Sequence, residues 1–96
     1  MNYTWTIKRL HQEGRRDLCF REEQTVRMER VDGGYAIVFE PFEEVGYAET
    51  VAECLRSFID DCFWVWDDYA QAPDNDLTAD AQALKRVALA MLEEAP

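Results

Sequence analysis

The hydrophobic period of this 96-residue chain changes once, between Glu40 and Ala48, and that change limits the possible folds more than any other feature. Before it, apolar residues recur at every second position; after it, they recur at helical spacing. A period of two describes a strand covered on one face, and a period near 3.6 describes a helix buried along one stripe.

In the first segment Tyr3, Trp5 and Ile7 alternate with Thr4, Thr6 and Lys8, the pattern of a half-buried strand. Gln12 to Asp17 is polar and contains Gly14, which predicts a turn, and Leu18-Cys19-Phe20 is expected to re-enter the sheet. Thr25–Val31 and Tyr35–Glu40 flank Asp32-Gly33-Gly34, a hairpin signal in which glycine supplies positive φ. Val26 and Met28 share one face of the first arm, as do Tyr35, Ile37 and Phe39 of the second.

Beyond Pro41 and Gly46, Ala48 to Ala70 is free of glycine and proline. Placed at 100° intervals, Val51, Leu55, Phe58, Ile59, Cys62, Trp66 and Tyr69 fall in a stripe about 100° wide, the face a helix buries on a sheet. Of these, Leu55, Phe58, Ile59, Cys62 and Trp66 are the expected core. Pro73-Asp74-Asn75-Asp76 reads as a linker. Thr78 reads as the N-cap of a second helix over 79–94, with Asp80 in its first turn. The expected fold is therefore α+β: a three- or four-stranded antiparallel sheet over about residues 2–40, packed by a long helix over about 48–70 and a C-terminal helix over about 79–94. All of it fits one domain, residues 1–96.

Charge follows the same division. Residues 1–31 hold seven Lys/Arg and five Asp/Glu, whereas residues 32–96 hold three and fifteen, for a formal net charge of -10 overall. Such acidity argues against direct nucleic-acid binding, which needs a surplus of Lys and Arg. No apolar run approaches the ~20 residues of a membrane span, and Met-Asn-Tyr-Thr-Trp does not read as a signal peptide. The three cysteines, Cys19, Cys54 and Cys62, form no Cys-x-x-Cys pair, so a reducing cytoplasm is the expected compartment and buried thiols the expected role.

Catalytic chemistry is hard to find. The lone His11 sits in a polar loop without a nucleophile-elbow pattern, and no phosphate-cradling glycine motif follows a strand. With these spacings His11 and the cysteines do not make a zinc site. Asp74, Asp76, Thr78 and Asp80 follow the start of a calcium loop, but its sixth position is Ala79 and its twelfth Lys85, where glycine and a bidentate glutamate belong. The expectation is a protein that is not an enzyme and takes no metal or cofactor.

The most informative pattern lies on the back of the long helix. On the same wheel Trp64 points away from the stripe, surrounded by Glu53, Ser57, Asp60, Asp61, Asp67 and Asp68. Like charges at i,i+3 and i,i+4 repel, and Asp67 and Asp68 near the helix C-terminus oppose its dipole, so helix stability does not explain them. An aromatic anchor in a carboxylate rim is the expected partner-binding site. Two bland readings stand beside it: Trp64 covered by the second helix or the N-terminal segment, and carboxylates that only maintain solubility.

The functional class expected from this is a small acidic inhibitor of a basic, nucleic-acid-handling protein, acting as a nucleic-acid mimic. In size and charge it is analogous to nuclease-toxin immunity proteins, antitoxins and phage-encoded anti-CRISPR proteins, although no motif selects among them. A structural or accessory oligomerising protein of phage or mobile-element origin is the second expectation, and a small-molecule sensor or enzyme the third.

Overall fold

The computed structural model describes residues 2–96 and has the α+β architecture. Its strands are β1 (Asn2–Leu10), β2 (Leu18–Val31), β3 (Gly34–Phe39), β4 (Glu44–Ala48) and β5 (Leu92–Glu94). The helices are α1 (Val51–Val65), continued by a π-helical turn over Trp66–Ala70, and α2 (Ala79–Met91). Every strand pairing is antiparallel, in the order β1-β2-β3-β4, with β5 added to β2.

The long strand β2 organises this sheet. Leu18-Cys19-Phe20 and Thr25–Val31 belong to one continuous strand, because the exposed polar residues between them stay extended rather than forming a turn. Along one side β2 pairs with β1. Its other side takes β5 at Leu18–Phe20 and β3 at Met28–Val31, so two neighbours share one edge. A register shift between Ile7 and Arg9 lets both Ile7 and Leu10 of β1 turn inward.

The hairpin forms where expected, with Val31 opposite Gly34, yet its two glycines serve different needs. Gly33 has φ +80, which side chains rarely adopt. Gly34 has no such φ; a Cβ there would run into the Ala48 carbonyl oxygen of β4. After β3, a 3-10 turn over Glu40–Phe42 and a left-handed Glu43 (φ 52) reverse the chain into β4.

Three boundaries differ from the sequence reading. The sheet extends past residue 40 through β4, whose alternation is masked because its inward residues are Glu44, Gly46 and Ala48. The long helix starts at Val51 rather than residue 48, since Thr50 is its N-cap and accepts a hydrogen bond from the Glu53 amide at 3.2 Å. The second helix stops at Met91 because the chain then extends to pair with Phe20 and its neighbours. At its other end Thr78 caps it as expected, accepting from the Ala81 amide at 3.2 Å.

Both helices lie on one sheet face, α1 over β3 and β4 and α2 over β2. Phe58, Cys62 and Trp66 are buried, but Leu55 and Ile59 are only half-buried. The buried stripe is displaced toward Cys54 and Val65 because β4 supports that flank of the helix. Phe63 also is buried, beneath Arg15 of the β1–β2 connection.

Two outcomes test this packing. Phe58→Ala should lower stability by about 3 to 5 kcal/mol, read from the shift in urea denaturation. Gly34→Ala should be strongly destabilising, whereas Gly46→Ala should be neutral or slightly stabilising, because a Cβ at Gly46 meets nothing within 4 Å. Equal melting temperatures for the two glycine variants would refute the close approach at Ala48.

Candidate functional site on the outward face of the long helix

Helical spacing sets Trp64 opposite the buried stripe, and its side chain is 48% exposed. With about half its surface open, it is not enclosed by α2 or by the N-terminal segment. Past Val65 the helix widens, with the Gln71 amide bonding the Trp66 carbonyl at 3.1 Å, a five-residue step. The wider turn places Tyr69 edge-on to Trp64, with ring centroids 5.2 Å apart. The indole is thus propped on one side and open on the other.

The expected rim divides into three groups. Asp60 and Asp67 lie on the flank beside the β1–β2 connection and have partners within the chain. Gln12 Nε2 donates to Asp60 at 3.0 Å, and Arg15 forms a bidentate pair with Asp67 at 2.7 and 2.8 Å. The Arg15 guanidinium also sits 4.6 Å from the Phe63 ring centroid, so it covers the core edge with its plane while its fork holds the carboxylate. Hydrogen bonding from Arg15 holds the Asp67 carboxyl below the usual carboxylate range.

Asp61 lies on the opposite flank, half-buried, and faces Glu44 of β4. Burial, a hydrogen bond with Asp61 and repulsion from its charge push the Glu44 carboxyl up to about 7. The Cys62 thiol lies in the same surroundings and is pushed up by burial and then by these two acids. β3, the other element packed on β4, carries no charged residue.

Between these flanks remain Glu53, Ser57 and Asp68. Ser57 is half-buried, and Glu53 and Asp68 are exposed. Among the described residues neither Glu53 nor Asp68 forms an ion pair. Glu53 sits in the first turn of α1, where its charge favours the helix dipole. It also lies about 16 Å along the axis from Trp64, whereas Asp68 and Asp60 each lie one turn from the indole.

Arg15, Gln12, Glu44 and Tyr69 shape this face without having been read as part of it. The arginines between the first two strands of a chain with an acidic second half are a visible clue to Arg15; Glu44 carries none, because β4 shows no alternation. Elsewhere, Lys85 Nζ donates to Asp74 at 2.8 Å and to the Ala72 carbonyl at 2.6 Å, so the would-be calcium loop is closed by an ammonium. Among the described residues no three His, Cys, Asp or Glu side chains converge as metal ligands, and no helix is long and apolar enough to cross a membrane. The arrangement offers an aromatic surface contact and a graded negative field. Comparison with family models, curated proteins and solved structures finds no match to this chain.

The Glu44–Asp61 pair gives a pH signature. Glu44 holds its proton more tightly folded than unfolded, so its stabilising contribution is present at acid pH and is lost as pH rises through about 7. Glu44→Gln should therefore be more stable than the native protein at about pH 8, with the difference closing toward about pH 5. Urea denaturation at both values measures it, and a difference that does not change with pH would contradict the assignment.

Proposed function

We propose that this protein is a non-enzymatic binding protein that docks the outward face of α1 onto a basic protein surface. Trp64 carries the reading: a half-exposed indole, propped by Tyr69, beside the carboxylate of Asp68, which has no ion pair among the described residues. A ring already held in place loses little freedom on docking, and tryptophan is prominent among residues that dominate binding energy. The net charge of -10 extends the attraction beyond contact and accelerates encounter with a positively charged partner.

The proposed partner is a nucleic-acid-handling protein, with the helix occupying ground that phosphates would take. That makes the protein a nucleic-acid mimic and inhibitor of the immunity, antitoxin or anti-CRISPR kind, acting in the cytoplasm and carried by a phage or other mobile element. Glu53 and Asp68 steer approach, while Trp64 sets residence time. Asp67 contributes through the shape of the Arg15 contact as well as through charge, since its carboxylate is already paired with that guanidinium.

The test is capture on the immobilised protein at low and moderate salt, with mass spectrometry of what is retained. One dominant basic protein is expected. Against it, Trp64→Ala should lose about 2 kcal/mol or more of affinity, chiefly through faster dissociation. Glu53→Lys with Asp68→Lys should instead slow association and flatten its salt dependence, because exposed charges act through a field screened over ~8 Å. Surface plasmon resonance at several ionic strengths separates the two effects, with thermal melts controlling for folding. Native-like binding by a folded Trp64→Ala protein would overturn the helical-face assignment.

A further inference from the structure

The sheet face turned away from the helices carries a second concentration of exposed apolar residues. Val31, Val38, Val45 and Tyr47 are 39%, 55%, 67% and 53% exposed. They are one surface: Val38 stands opposite Val45, Ala36 opposite Tyr47, and Val31 follows on β2 beside the hairpin turn. Scattered apolar residues on a surface are ordinary, but a contiguous row along paired strands is a recognition feature.

This row runs to an open edge. Among the described residues β4 is the last strand of the sheet and pairs only with β3, so the main-chain groups on its other side have no strand there to bond. Such an edge is a template for an added strand, and proteins that do not use it usually block it. Here the one obstruction is charge. From Val31 to Leu55 the chain has six carboxylates, those of Asp32, Glu40, Glu43, Glu44, Glu49 and Glu53, and no Lys or Arg. None of the six forms an ion pair among the described residues.

We infer that the β4 edge accepts an extended segment of a partner protein in which apolar residues alternate with Lys or Arg. Strand alternation matches this chemistry to the two faces. Apolar side chains of the added strand continue the Val38–Val45 row on the outer face. Its basic side chains project to the helix side, where Glu44 faces Asp61 at one end of β4 and Glu49 follows the strand at the other. Main-chain hydrogen bonds hold the segment, and the alternating side chains select it. A second copy of this chain is a poor occupant, because pairing two β4 edges would set Glu43, Glu44 and Glu49 against their like.

The Glu44–Asp61 pair adds a consequence. A basic side chain beside it favours the ionised form of Glu44, so binding near neutral pH releases protons to the buffer. Apart from Asp61, which also borders the Trp64 face, the site is built from other residues, and it does not depend on the function proposed above.

The experiment uses the whole protein, labelled with nitrogen-15, and a capped nine-residue peptide of alternating Lys and Val. The same peptide with Glu for Lys and a peptide with its lysines and valines in two blocks are the comparators. Amide shifts centred on β4 and Val38 are expected for the alternating Lys peptide alone. Its affinity should fall about fivefold or more in Glu44→Gln with Glu49→Gln, and should be lost in Val45→Lys, an exposed substitution that leaves the fold intact. Trp64→Ala should leave peptide affinity unchanged. Calorimetry in two buffers of different ionisation enthalpy should register proton release in the native protein and not in Glu44→Gln. Equal binding of the Glu or block peptide would overturn the inference. So would shifts centred elsewhere, no shifts at millimolar peptide, or a free protein that is already a dimer through β4.

Discussion

Four phenylalanines hold the structure at one joint. Phe20 of β2, Phe39 of β3, Phe42 of the 3-10 turn and Phe58 of α1 pack with ring centroids 5.1 to 6.4 Å apart. Each comes from a different element, so the cluster joins the middle of the sheet, its sharpest reversal and the long helix. Aromatic pairs of this kind add about 0.5 to 1.5 kcal/mol each beyond area burial, against a total stability of ~5 to 15 kcal/mol for such a domain. Because Phe39 lies past the last β2–β3 pairing at Ile37, the rings bridge a place where the strands have begun to part. Packing there takes over from the ladder.

The fold class was legible because each long element repeats one period without interruption. Helix α1 offers a full stripe, and the hairpin has alternation on both arms with a glycine that must take positive φ. Shorter elements have no such redundancy. β4 turns Glu44, Gly46 and Ala48 inward, so its buried face contains no large apolar side chain. β5 is three residues long and continues directly from α2, where alternation has no room to show itself. In both cases pairing with an existing strand, and not local pattern, creates the element.

The outward position of Trp64 was legible for the same reason as the core stripe: both follow from helix phase. What a wheel cannot represent is the reach of other segments. Arg15 is separated from Asp67 by 52 residues, yet their bidentate pair closes one flank of the acidic face and covers Phe63. Glu44 meets Asp61 only because an unrecognised strand runs beneath the helix. A face that looked uniformly acidic in sequence is therefore graded: bonded to Arg15 and Gln12 on one side, bordered by the raised Glu44 carboxyl on the other, and free of ion pairs among the described residues at Glu53 and Asp68 between.

That grading follows from how charge is divided along the chain. The basic first segment supplies Arg15 to the helix, and Arg21 to the α2–β5 junction, through the Leu89 carbonyl at 3.1 Å and Glu93 at 3.5 Å. Those ion pairs are exposed and individually worth little, but they consume the basic residues on the side of β2 that faces the C-terminal elements. β3 and β4 receive none of this compensation, since the chain between Arg30 and Arg56 has no positive charge to give. An uncompensated edge repels its own kind, and the same charge attracts a basic strand. One distribution of glutamates thus both guards the sheet against self-association and defines the chemistry of what can join it.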